Sequence, residues 1–86
     1  MPRYLVERRF EAAPELPVGE IVRRNADDAV TWLHSYVSLD RRTAFDVYEA
    51  PSPEAVRRAG ARNRLPIDRI TEVRVLDPYP YEQEIA

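Results

Sequence analysis

The 86-residue sequence predicts an α+β fold: a ferredoxin-like βαββαβ sandwich, with a four-stranded antiparallel sheet and two helices on one face. Three observations lead there. Four stretches alternate in character as half-buried strands do, and two repeat apolar residues at helical spacing, in the order strand, helix, strand, strand, helix, strand. The two middle strands are joined by a short polar reversal and so read as a hairpin. The sheet then closes most economically in the spatial order 4-1-3-2.

The first strand takes residues 3–10, with Tyr4, Val6 and Arg8 on one side and Leu5, Glu7 and Arg9 on the other. Two prolines between Glu11 and Pro17 make a connection. Val18, Ile21, Val22, Ala26 and Ala29 then recur at helical spacing through about residue 28. The opposite face offers Glu20–Arg24, Arg23–Asp27 and Arg24–Asp28 as i,i+4 pairs.

The second strand, Thr31 to Ser38, carries the only Trp and the only His of the chain. Strict alternation places Leu33 and Val37 in the core and Trp32, His34 and Tyr36 on the other face. Ser38 to Arg42 reverses the chain into Thr43–Glu49, where Phe45 and Val47 are expected in the core and Ala44, Asp46 and Tyr48 opposite. A three-residue loop of Leu39, Asp40 and Arg41 would set His34 opposite Asp46 and Trp32 opposite Tyr48.

Ser52 is placed to cap a second helix, with Pro53 at its first position and Glu54 in its first turn. Ala55, Val56 and Ala59 form its buried stripe, and Asn63 is expected to end it in the left-handed conformation. Arg69 to Asp77 gives the last strand, with Thr71, Val73 and Val75 inward and Ile70, Glu72, Arg74 and Leu76 outward. Pro78 and Pro80 stop it, and residues 77–86 read as an irregular tail to a single domain of residues 1–86.

Composition narrows the function. Charged residues make up 33% against 44% hydrophobic, the balance of a folded rather than a disordered chain. All thirteen basic residues are Arg, and they come as scattered pairs against fifteen acidic residues, so no nucleic-acid-binding stripe is expected. The absence of Cys excludes disulfides, thiolate ligands, iron–sulfur clusters and a cysteine nucleophile, leaving nitrogen and oxygen to hold any metal. The N-terminal residues lack the apolar run of a signal peptide, and no stretch has the length of a membrane span, so a cytoplasmic location with no membrane partner is expected.

The uncovered sheet face mixes aromatic and aliphatic residues with charge, more than a small monomer usually shows to water. A homodimer packed sheet to sheet is the simplest cover for it. On that face the expected register brings His34, Asp46 and Glu7 together, an imidazole and two carboxylates of the kind that bind a divalent transition metal. Tyr36 would orient the imidazole, while Trp32, Tyr48, Glu72 and Arg74 would line the surroundings. The same residues also suit a small-ligand binder or cofactor-independent enzyme of the dimeric α/β-barrel type, or a surface that only dimerises; no catalytic residue is assigned.

The blocks Tyr4-Leu5-Val6-Glu7-Arg8, Val30-Thr31-Trp32-Leu33-His34-Ser35-Tyr36-Val37, Val47-Tyr48-Glu49-Ala50-Pro51-Ser52-Pro53-Glu54-Ala55 and Leu65-Pro66-Ile67-Asp68-Arg69-Ile70-Thr71-Glu72-Val73 together resemble a family of small bacterial nickel-binding-like proteins of unknown function. The resemblance covers nearly the whole chain. It implies the ferredoxin-like fold, a homodimer and nickel binding in at least one member, with His34 and Glu7 inside the family's motif blocks. Where many relatives have Cys before the Val-Tyr of the third strand this chain has Asp46, which would make the site harder.

Overall fold

The structure is a computed structural model and describes residues 1–79. Residues 80–86 of the expected tail lie outside the described residues. The elements are β1 (Arg3–Arg9), α1 (Val18–Ala26), β2 (Thr31–Val37), β3 (Thr43–Glu49), α2 (Pro53–Arg62) and β4 (Arg69–Val73). They form an antiparallel sheet in the order β2-β3-β1-β4, the order expected for a ferredoxin-like sandwich. No helix among the described residues is long and apolar enough to cross a membrane.

Alternation along β1 sets the two faces. Tyr4, Val6 and Arg8 are buried, and the core gathers Tyr4 and Val6 with Val30, Tyr48, Ala50, Ala55, Val56 and Ala59. These contributors are small apart from the two tyrosines. The capping expectation holds for α2: Ala55 N–H donates to Ser52 Oγ at 3.2 Å, and Pro53 occupies the first turn.

Both helices end in the same way, and neither uses glycine. Val30 N–H reaches back to Asn25 C=O and Leu65 N–H to Gly60 C=O, each at 3.0 Å, so Ala29 and Arg64 take left-handed backbone with φ of 58° and 55°. Asn63, expected in that role, stays right-handed. Its amide is engaged instead, donating to Ala59 C=O and to Asn25 Oδ1 of α1. The first helix stops at Ala26, which releases Asp28 from any pairing with Arg24. Asp28 accepts from Arg58 and Arg62 of α2, tying the helices together, while Glu20–Arg24 forms as expected.

Two strands lie the other way up from the expected arrangement. Val6 pairs with Asp46 and Tyr4 with Tyr48, so Ala44, Asp46 and Tyr48 face the helices and Phe45 and Val47 face away. In β4, Ile70 stands opposite Val6 and packs on the core, Glu72 stands opposite Tyr4, and Thr71 takes the open face. The last strand also ends at Val73, because Arg3, its partner there, is the first residue of β1. Arg74 and Leu76 lie beyond the ladder.

Candidate functional site

The geometry of β2 decides which side chains can act together. Trp32 pairs with Tyr48 as expected, but the next pairing is His34 with Val47, leaving Leu33 as a bulge. The extra residue moves everything after it by one. Ser35 therefore stands opposite Asp46, Tyr36 opposite Phe45 and Val37 opposite Ala44. The hairpin accommodates this by closing at Ser38 and Thr43, with Ser38 N–H donating to Thr43 C=O at 3.0 Å around a four-residue loop in which Arg41 is left-handed. The expected aromatic stripe is thus divided, with Trp32 facing the helices and His34 and Tyr36 the open side.

On the helix side a polar network is built into the sheet. Arg8 Nε donates to Asp46 Oδ2 at 2.7 Å, with the two side chains only 3% and 8% exposed. The other guanidinium nitrogens reach Pro66 C=O at 2.8 Å and the Tyr48 hydroxyl at 3.1 Å. That hydroxyl donates to Asp46 Oδ2 at 3.2 Å. On the far oxygen, Ser35 Oγ donates to Asp46 Oδ1 at 2.6 Å and accepts from Trp32 Nε1 at 2.7 Å. Burial pushes the Tyr48 hydroxyl up to about 12, against the pull of the Arg8 charge, which lowers it. A buried ion pair survives when its polar atoms find partners, and here each guanidinium nitrogen donates and each carboxylate oxygen accepts at least once.

That network removes Asp46 from the expected metal cluster. Its carboxylate lies on the opposite face from His34 and is committed to Arg8. Glu7 does share the open face with His34, but it pairs with Phe45 across from β1 while His34 lies beyond β3. Two strand spacings put them roughly 10 Å apart. Glu7 instead approaches Arg69 at 3.9 Å. Tyr36 is the expected neighbour of the imidazole that the structure does bring close, with the rings edge to face and centroids 5.4 Å apart. Trp32 and Tyr48 keep each other's company at 6.3 Å, but inside the sandwich. Glu72 and Arg74 are exposed and lie away from His34.

A nickel ion needs several donors, and no group of three or more His, Cys, Asp or Glu that could hold a metal occurs among the described residues. Among the described residues, one copy of the chain supplies an exposed imidazole on a partly apolar face and no complete ligand set. The open face around it carries Leu5, Tyr36, Phe45 and Val47, with Tyr36 62% and Phe45 37% exposed.

A family profile described as nickel responsive protein SCO4226-like matches residues 4–73, which takes in all of β2 and all but the first residue of β1. The chain belongs to the SCO4226-like family. The crystal structure of SCO4226 from Streptomyces coelicolor A3(2) is similar in fold, with a TM-score of 0.69 at 20% identity over 87% of this chain and 99% of that one. No curated protein matches the chain significantly. Membership of a nickel-responsive family ties this SCO4226-like chain to metal-related function.

Arg8 and Ser35 are the members of the buried network that sequence reasoning passed over. The signal for Arg8 was available: β1 puts it on the same face as Tyr4 and Val6, and a guanidinium there demands a carboxylate from the adjoining strand. Asp46 meets that demand, and β3 is turned so that Asp46 faces the helices. Ser35 had no such signal, because its position depends on a bulge that alternation does not reveal.

Proposed function

We propose that the chain is a divalent transition-metal binding protein of the nickel type, working as a homodimer through its helix-free sheet face, with His34 as the anchoring imidazole. Family membership supports nickel as the metal. The observation that carries the residue assignment is the bulge at Leu33, which turns the only imidazole of the chain out of the sandwich onto the open face. Imidazole nitrogen is a good donor to nickel, and Tyr36 beside it restricts the ring.

A single imidazole binds weakly, so the remaining donors come from elsewhere. Pairing two copies face to face would bring two His34 side chains and two Glu7 side chains onto one interface, and would cover Leu5, Phe45 and Tyr36. The role is binding and response rather than turnover.

The test is elemental analysis of metal-stripped, tag-free protein after exposure to nickel, with sedimentation measured on the same samples. Wild type should retain nickel in fixed ratio as a dimer, and His34→Ala should lose it while keeping its fold. Unchanged nickel retention in His34→Ala would remove His34 from the site, and a monomeric nickel-loaded wild type would remove the shared interface.

A further inference from the structure

A cleft lies on the helix side of the sheet, beside the connection from β1 to α1. It has a volume of about 380 Å³, within the range of small-molecule sites, and its walls include Phe10, Leu16, Val18, Trp32 and Val37. Three of these apolar residues remain open to water, Leu16 at 37%, Val18 at 51% and Val37 at 55%. Asp46 and Ser35 form its polar end and Arg41 stands at its loop end, with Ala44 between them along β3.

The polar end is a built acceptor. Asp46 Oδ2 takes two hydrogen bonds, from Arg8 and Tyr48, but Oδ1 takes one, from Ser35. A carboxylate oxygen has room for two. Ser35 Oγ, already accepting from Trp32 and donating to Asp46, likewise has one lone pair left. Arg8 balances the Asp46 charge, so this end asks for a neutral donor rather than a cation. At the other end, Arg41 has no carboxylate within ion-pair distance among the described residues. Its guanidinium asks for an anion.

We propose that this cleft binds a ring-sized aromatic acid carrying a hydroxyl or N–H donor at the end away from its acid group. The donor meets Asp46 Oδ1 and Ser35, the ring lies against Trp32 and the apolar walls, and the acid meets Arg41. Nothing in this assignment involves His34, which faces the other side of the sheet.

Trp32 makes the site readable, because its indole N–H is the only one in the chain and is bonded into the polar end. The experiment titrates ¹⁵N-labelled protein with 4-hydroxybenzoate and follows that cross-peak, with benzoate and 4-methylphenol as comparators lacking one polar group each. A saturable shift is expected with 4-hydroxybenzoate, weakened about tenfold or more by loss of either group, which is the scale of one hydrogen bond or ion pair. Arg41→Gln, an exposed loop change, should weaken 4-hydroxybenzoate to the level of 4-methylphenol, and Leu16→Glu should weaken all three. His34→Ala should bind as wild type. The assignment is overturned by no saturable shift at millimolar concentration, by equal binding of all three compounds, by an unaffected Arg41→Gln, or by a cross-peak that moves with protein concentration instead, which would mean another copy fills the cleft.

Discussion

Ser35, and not His34, stands opposite Asp46, and its hydroxyl closes to 2.6 Å from the carboxylate. One residue of bulge separates a serine in the buried network from an imidazole on the open face. The consequences can be measured one residue at a time.

Removing one member of the buried ion pair leaves the other charged and unpaired. Arg8→Met and Asp46→Leu should each destabilise by about 3–5 kcal/mol, whereas the double variant should recover much of the combined loss. Urea unfolding of the four proteins gives the cycle, and simple addition of the two single losses would show that the pair is not coupled.

Ser35→Ala strips the bond from Asp46 Oδ1 and the acceptor from Trp32 Nε1 together. A loss of about 1–3 kcal/mol is expected for these unmet groups. Because Trp32 is the reporter, its fluorescence should change in the folded state of this variant even where unfolding is complete at the same final baseline.

Tyr48 supplies an alkaline limb. Its hydroxyl titrates at about 12 when folded and near 10.0 when exposed, so the unfolded chain loses the proton first. Stability tied to this group is full below pH 10.0 and declines as pH rises towards about 12. Tyr48→Phe should flatten that decline in urea midpoints, and should cost about 1 kcal/mol at neutral pH through the lost hydroxyl bonds.

Asp28 supplies the acid limb. Hydrogen bonds from Arg62, and then from Arg58, hold its carboxyl below the ordinary 3.8. A depressed folded value means that its contribution is present above 3.8 and is lost as pH falls through the lower folded value. Unfolding midpoints collected from neutral pH into strong acid should therefore fall less steeply in Asp28→Asn than in wild type. A parallel decline in the two proteins would show that the tie between α1 and α2 is energetically silent.

Much of the architecture was legible in the sequence because the signals were local. The cap at Ser52, the stripe of Ala55, Val56 and Ala59, and the alternation of Tyr4 with Val6 each follow from neighbours a few residues away. The faces of β3 and β4 were not legible in this way. Phe45 and Val47 are more apolar than Ala44 and Asp46, so a local reading turns the wrong pair towards the helices, although Val47 is buried on the open face all the same. The buried Arg8 overrides it through a contact 38 residues distant. The candidate site suffered most, since its expected centre combined a carboxylate from one face with an imidazole from the other. The Leu33 bulge, a departure from period two that carries no Gly or Pro marker, lay between them.

The bulge has a further effect, on the outer edge of the sheet. Among the described residues β2 is an edge strand, with unpaired backbone groups along its outer side, and a flat edge of this kind invites strand-by-strand stacking into fibrils. An extra residue at Leu33 adds local twist and breaks the regular spacing of those groups. Growth along the sheet is blunted there, so the irregularity that orients His34 also guards against runaway polymerisation.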